Sequence, residues 1–141
     1  MKQLIKSIDH IVHIGPPGEY QIYSLSEAQQ LLNLLLKLTY YSSIELQPIQ
    51  NKLKRTLSCD PRISLLSSQY ETLVRRWIGK VERLGCHAKD LWWVDIDIGE
   101  GYICWKYPEI RMEYFHYYDE EPSKRKKLEE IDLSPDLAWF E

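Results

Sequence analysis

The chain has 141 residues, of which 44% are hydrophobic and 28% charged, so it is long enough for one domain with a core and too apolar for a disordered segment. Its formal net charge of −3 argues against a nucleic-acid-binding protein. The charge is unevenly divided, because residues 1–84 carry 11 Lys/Arg and 7 Asp/Glu whereas residues 85–141 carry 7 and 14. Opposite halves could pair head to tail in a dimer, although two solvated faces of different sign explain the same pattern.

The cysteines and the hydropathy pattern bear on the compartment. Cys59, Cys86 and Cys104 form no C-x-x-C pair and are odd in number, which argues against a disulfide framework and for a reducing compartment. The apolar run at residues 34–36 is far shorter than a membrane span, and residues 1–10 lack the apolar run of a signal peptide. We therefore expect a cytoplasmic protein without a membrane segment.

The first residues suggest a hairpin. Alternating apolar residues favour a strand over residues 8–14, although a short helix also fits the spacing. Residues 15–18 read Gly-Pro-Pro-Gly, which is typical of a turn, and residues 20–23 look extended.

Ser24 and Glu27 mark the start of the first long helix. Their spacing is that of a capping box, in which the Ser24 hydroxyl accepts the Glu27 amide and the Glu27 carboxylate reaches back. Apolar spacing predicts a helix to about Leu57, with Pro48 inside it. Proline removes the amide that would bond the Ile44 carbonyl, so we expect a kink or a break at Pro48.

A second helix follows after a short connection, which predicts that the two helices run antiparallel. Asp60 is a good N-cap, Pro61 fits the first helical turn, and Gly85 is a suitable C-cap. The apolar residues of this helix alternate three and four apart, as in a coiled coil: Ile63, Leu66, Tyr70, Leu73, Trp77, Val81 and Leu84.

After Gly85 the apolar period changes to two. Aromatic-rich strands are predicted at residues 92–96, 102–107 and 112–118. The predicted fold is therefore α+β, with a long antiparallel helical hairpin (24–84) packed with a three- or four-stranded antiparallel β-meander (91–118) in a single domain.

A charged tail over residues 119–141 follows the predicted sheet. Its opposed charge blocks are typical of a solvated loop, and it carries Trp139 and Phe140 beyond them. We expect these two aromatic side chains to dock on the domain or on a second copy.

The C-terminal half contains short motifs: residues 89–90 read Lys-Asp, residues 94–96 Val-Asp-Ile, residues 103–109 Ile-Cys-Trp-Lys-Tyr-Pro-Glu and residues 114–116 Tyr-Phe-His. These motifs resemble the domain-of-unknown-function family 2203. The family pattern runs K-D, then G-L-V-D-F, L-C-W-K-L-G-E, Y-W-H and G-F-x-x-R. Residues 89–90, 94–96, 103–109 and 114–116 match its successive parts, and Arg125 falls on the final arginine. The same step of twelve residues separates Cys104 from the histidine of the Y-W-H part.

Residues 23–28 resemble the tyrosine-rich capping turn of that family. Trp92, Pro108 and Glu121 stand where the pattern has glycine. The resemblance implies a long helical hairpin followed by strands, and it implies no activity because the family has no assigned function.

One polar cluster is the candidate functional site: Asp95, Glu109, His116 and Arg125. If the strands pair in order, Asp95 and His116 flank the Cys104 strand and converge on one face. A carboxylate beside a histidine orients it for acid–base chemistry, and an arginine can bind a carboxylate or a phosphate. The alternative is an ion-pair network that fastens the tail onto the sheet.

A metal site would use Cys86, His87, Cys104 and His116, or Asp95 with Asp97. None of these residues has zinc-finger spacing, and the sequence has no glycine-rich phosphate loop, so we expect no metal and no cofactor. Lys124–Lys127 near the aromatic residues is the only hint of nucleic-acid binding, and its acidic neighbours argue against it.

Two functions remain open. The favoured one is a protein–protein interaction or structural module that forms a homodimer, because the first helix has more apolar surface than one partner helix needs. The other is a small-ligand or enzymatic site at the polar cluster. The sequence itself does not decide whether the protein is an enzyme.

Overall fold

A computed structural model of the chain describes residues 15–16 and 18–130. Its α-helices are α1 (Leu25–Gln30), α2 (Leu32–Arg55) and α3 (Arg62–Arg83). The strand predicted over residues 8–14 and the aromatic pair Trp139 and Phe140 lie outside the described residues.

The first helix starts as the capping box predicts. The Ser24 hydroxyl accepts the Glu27 amide at 3.1 Å, and the Glu27 carboxylate accepts the Ser24 amide at 3.0 Å. The helix is interrupted at Leu31 and runs continuously through Pro48, so of the expected kink or break at Pro48 the break does not occur. Pro48 and Ile44 both lie on the solvent side, where water can satisfy the Ile44 carbonyl that proline leaves without an amide.

Helices α2 and α3 pack against each other and run antiparallel. The indole N–H of Trp77 donates to the Thr39 hydroxyl at 3.0 Å, and the next contact outward joins Arg76 to Glu45 at 4.0 Å. At the start of α3 the Asp60 carboxylate accepts the Arg62 amide at 2.9 Å, but the N-cap position is occupied by Pro61 and not, as predicted, by Asp60. The predicted stop is confirmed, because the residue that follows α3 and Leu84 is a glycine with φ +79°.

The sheet has five strands and not three or four. They are β1 (His87–Asp90), β2 (Trp93–Asp97), β3 (Gly101–Lys106), β4 (Tyr114–Tyr117) and β5 (Lys126–Lys127). They pair antiparallel in chain order, so the predicted meander is correct in its centre and extends by one strand at each edge. The two added strands are short, and β5 is part of the segment expected to be a solvated loop.

Strand alternation divides the sheet into two faces. Val94, Ile96, Ile103, Trp105 and Phe115 are buried in one core with the helices. Residues of the opposite parity therefore point away from the helices. We call this second side the outer face of the sheet, and it carries all the polar residues of the candidate site that lie on strands.

The far half of the helical hairpin extends beyond this core. Residues 47–76, which we call the helical arm, contain no buried residue. Burial resumes at Leu46 in α2 and at Trp77 in α3. No helix within the described part of the chain combines the length and apolar character that a membrane span requires.

Candidate functional site

The register of the sheet brings the candidate residues onto its outer face. Asp95 pairs with Cys104, and Cys104 pairs in turn with Tyr114. His116 pairs with Tyr102 and so stands one row away from Asp95 and two strands across. Its side chain crosses β3 diagonally to reach the carboxylate.

Asp95 and His116 form a buried ion pair. The distance from His116 Nε2 to Asp95 Oδ2 is 2.8 Å, and the exposed fractions of the side chains are 2% and 0%. The other ring nitrogen, Nδ1, lies 3.1 Å from the Tyr117 carbonyl oxygen. Burial works to lower the pKa of His116, but the hydrogen bond and charge of Asp95 outweigh it, so the pKa is raised.

This geometry limits what His116 can do chemically. A catalytic histidine needs one ring nitrogen that faces the substrate. Here both nitrogens face an acceptor of the protein itself, which is the arrangement of a doubly donating imidazolium. The pair is built to connect β2 to β4 across β3.

The second carboxylate oxygen of Asp95 has a different environment. Oδ1 is buried and has no hydrogen-bond partner among the described residues. His87 lies directly across from Asp95 on β1, but its ring stacks on Tyr20 with centroids 3.8 Å apart. The negative charge of Asp95 therefore depends on His116, and loss of His116 would leave a buried carboxylate without compensation.

Glu109 and Arg125 form a second pair. Arg125 Nη1 lies 3.0 Å from Glu109 Oε1, and Nη2 binds the other oxygen, which makes the pair bidentate. Glu109 Oε1 also accepts the Lys106 amide at 2.8 Å, and the guanidinium carbon of Arg125 lies 3.9 Å from the centre of the Tyr114 ring. These contacts hold the segment before β5 against the sheet.

Cys104 stands between the two pairs. Its sulfur accepts from the Trp93 indole at 2.7 Å and from Arg125 Nη1 at 3.8 Å. Burial, followed by the charge of Asp95, raises the pKa of the Cys104 thiol to about 11, so the thiol is protonated at neutral pH. The sequence suggested Cys104 as a candidate metal ligand on the strand between Asp95 and His116, but it did not predict that its thiol lies between the two pairs. Cys104 pairs with Asp95 on the neighbouring strand, so both side chains lie on the same face of the sheet, and this alternation could have indicated the position of the thiol.

The metal alternative finds little support in the side-chain positions. Within residues 15–16 and 18–130, no group of three or more His, Cys, Asp or Glu side chains is arranged to hold a metal ion. Asp97, the second residue of the proposed hard-cation pair, accepts the Gly99 amide at 2.9 Å and the Tyr118 hydroxyl at 2.5 Å.

A family model described as "Uncharacterized conserved protein (DUF2203)" matches residues 21–128, which is more than half of the chain. The chain belongs to this family. The resemblance inferred from the sequence motifs is thereby confirmed. No match was found among the curated proteins or among the solved structures.

One departure from the DUF2203 pattern has a structural explanation. Trp92 stands where the pattern has glycine, and its φ is +60°, in the left-handed region that glycine adopts without strain. The Trp92 ring packs edge-on against Trp77 with centroids 5.0 Å apart. This contact with the core compensates for the backbone cost of a large side chain at such a position.

Aromatic residues cover the outer face beside the Asp95–His116 pair, and sequence reasoning did not connect them to the site. The Tyr102 ring lies 5.3 Å from the rings of both His87 and His116 and 5.2 Å from that of Tyr118. Lys89 lies 5.4 Å from the Tyr102 centroid. Tyrosine is common in β-strands in general, so the presence of these residues in the sequence did not indicate a functional site.

Proposed function

We propose that the chain is a protein–protein interaction module that forms a homodimer through its helical arm. The observation that carries the proposal is the stretch of 30 residues, 47–76, without a buried side chain. Within the described residues, the arm consists of two helices, and no third layer covers its apolar seam.

The seam of the arm supports pairing with another helical hairpin. Ile49 and Leu53 on α2, and Leu66 and Leu73 on α3, are half-buried by a single neighbouring helix. On α3, Ile63, Leu66, Tyr70 and Leu73 recur three and four residues apart, which is the spacing of helices that pack by knobs into holes. A second arm would complete a four-helix bundle and give each seam two further neighbours.

The end of the arm exposes two leucines. Leu57 is 73% exposed and Leu65 is 63% exposed. Full burial of one leucine side chain stabilises an interface by about 1.5–3 kcal/mol. Contact between arms would therefore gain from both residues.

The charge of the arm predicts opposite effects of salt on binding to a second copy and on binding to an acidic partner. Residues 47–76 contain six Lys/Arg and two Asp/Glu. Two such arms repel each other, so added salt should strengthen a homodimer, whereas it would weaken binding to an acidic protein. We propose a second copy as the partner, because an identical hairpin has the same half-buried apolar seam.

The enzymatic alternative has weaker support. Asp95 and His116 are buried, and both ring nitrogens of His116 already have partners in the protein. We also infer a cytoplasmic location, because Cys59, Cys86 and Cys104 are all free thiols, which suits a reducing compartment.

Sedimentation velocity over a series of protein concentrations tests the proposal. We expect a monomer–dimer equilibrium that Leu65→Lys weakens tenfold or more, since about 1.4 kcal/mol of lost leucine burial corresponds to a factor of ten. Ile110→Lys is the matched control, because Ile110 is 76% exposed and lies outside the arm. Raising the salt concentration should shift the wild-type equilibrium toward the dimer.

A monomer at all concentrations would refute the proposal. So would a dimer that tolerates Leu65→Lys, because its interface would then lie elsewhere. Dissociation in high salt would point instead to contacts between opposite charges.

A further inference from the structure

The turn that closes the helical arm carries a concentrated positive charge. Residues 52–62, which we call the arm tip, contain four Lys/Arg and one Asp. Asp60 is paired with Arg62 at 2.7 Å, and the tip takes part in no other ion pair within the described residues. The three remaining cations of the tip are exposed to solvent: Lys52, Lys54 and Arg55.

A large apolar side chain lies among these charges. Leu57 is in the connection between α2, which ends at Arg55, and α3, which begins at Arg62, and it is 73% exposed. At the end of a two-helix arm, such a side chain is buried only by a partner that can close around a protruding tip. The tip therefore suits a partner that is both negatively charged and apolar beneath its surface.

The arm also holds its tip away from the acidic part of the protein. The helical residues that pack in the core with the sheet lie before Thr39 on α2 and from Trp77 onward on α3. From Thr39 to Arg55 the helix rises about 24 Å, whereas charges are screened over about 8 Å at physiological salt. Residues 85–130, with 7 Lys/Arg and 11 Asp/Glu, therefore repel little of what approaches the tip.

We infer that the arm tip binds the surface of a bilayer that contains anionic phospholipid, with Leu57 inserted below the headgroups and Lys54 and Arg55 beside them. Such a bilayer supplies negative charge and an apolar interior together, and it deforms around a protruding tip. A nucleic acid supplies the charge alone. The inference does not depend on the homodimer, because the seam that pairs two arms runs along their sides, whereas the tip closes their end.

Flotation of the full chain with vesicles of phosphatidylcholine, with and without phosphatidylserine, tests the contribution of charge. Each Lys or Arg at an anionic surface strengthens binding about fivefold. We therefore expect Lys54→Gln combined with Arg55→Gln to weaken binding to the anionic vesicles about twentyfold. Arg111→Gln combined with Lys124→Gln is the matched control, because it removes the same charge from exposed positions outside the arm and should have no effect.

The exposed thiol of Cys59 allows insertion of the tip to be measured, because Cys86 and Cys104 are buried. An environment-sensitive fluorophore on Cys59 should shift to the blue on the anionic vesicles. Leu57→Ser should abolish the shift and weaken binding tenfold or more, because the buried leucine is lost.

The background and the salt concentration separate this inference from the homodimer. Every variant is also measured in the Leu65→Lys background, in which the arms should not pair, so that a lost dimer cannot account for lost vesicle binding. Added salt should weaken vesicle binding, whereas it should strengthen the homodimer.

Several results would overturn the inference. These are equal binding to vesicles with and without phosphatidylserine, native binding by the Lys54→Gln and Arg55→Gln chain, and binding without a spectral shift at Cys59. A blue shift at Cys59 produced by soluble polyglutamate in place of vesicles would assign the tip to an acidic polypeptide.

Discussion

His116 is the central polar residue on the outer face of the sheet. It donates to the Asp95 carboxylate on β2 and to the backbone of its own strand, and it does both while 2% exposed. A buried carboxylate is tolerated only with a partner of opposite charge and good geometry. His116 is therefore best understood as the counterion that makes Asp95 acceptable in this position.

The ion pair gives stability a defined dependence on pH. The pKa of His116 is raised above its ordinary value of 6.5, so its contribution is complete below about pH 6.5 and is lost as pH rises through the folded-state pKa. We expect urea unfolding to show this decline in the native chain. His116→Asn should lower stability and remove the decline on the alkaline side.

His87 provides an internal control for the sign of this effect. Burial, followed by the charge of Lys89, lowers the pKa of His87, so its contribution is lost as pH falls. His87→Asn should therefore leave the alkaline decline in place. An alkaline decline that persists unchanged in His116→Asn would show that the Asp95–His116 pair does not cause it.

Part of this site followed from the sequence. Strand parity was enough to put Asp95 and His116 on one face, because side chains alternate along each strand. The division into two pairs did not follow, since it depends on a diagonal across β3 and on where the chain returns with Arg125. The position of Cys104 between the pairs depends on the same long-range register.

At the scale of elements, the central strands and both long helices were predictable, whereas the sheet edges were not. β1 reads His-Ala-Lys-Asp, and β5 consists of Lys126 and Lys127. Edge strands are often short and charged, since these features oppose pairing with another chain. The properties that protect such strands also hide them from a search for alternating apolar residues.

Pro48 shows a different limit of the sequence pattern. Proline predicts the loss of one helical hydrogen bond, but it does not say which side of the helix faces water. Because Pro48 lies on the exposed side, the helix continues through it. The interruption at Leu31 carries no proline or glycine signal.

Two glycines of the hairpin predict opposite effects of the same substitution. At Gly85, φ is +79° and an added Cβ would lie 2.6 Å from Gln21 Cγ, so Gly85→Ala should lower the free energy of unfolding by about 2 kcal/mol or more. Gly79 lies within α3 with nothing within 4 Å of an added Cβ. Gly79→Ala should raise stability by about 0.5–1 kcal/mol.

Chemical denaturation of both variants measures the two effects. Equal losses would show that the helix at Gly79 is already constrained by packing. A neutral Gly85→Ala would contradict the close approach of residue 21 to the end of α3.

At the scale of the whole molecule, the three thiols report on separate regions. Cys59 is exposed at the end of the arm, whereas Cys86 and Cys104 are buried in the body of the protein. Burial raises the pKa of Cys86 to about 12, which further slows its reaction. We expect an aromatic disulfide reagent to modify one thiol per native chain rapidly and three after denaturation.

The Cys59→Ser variant is the control for this assignment, since it should lose the rapid phase and keep the other two thiols. The slow rate of those two then measures opening of the folded state. Rapid modification of a second thiol in the native protein would contradict the burial of Cys86 and Cys104.

The hydrogen bond between Trp77 and Thr39 determines how the helices are aligned. Apolar residues recur so regularly on α2 and α3 that, if one helix shifted by one heptad along the other, most contacts between them would still be apolar. After such a slip, the buried indole N–H of Trp77 would face Leu32 or Leu46, and neither leucine can accept a hydrogen bond. The Thr39 hydroxyl thus distinguishes the native alignment of the two helices from alignments shifted by one heptad. In a Thr39→Val chain the helices would still pack against each other, but they would no longer favour one alignment.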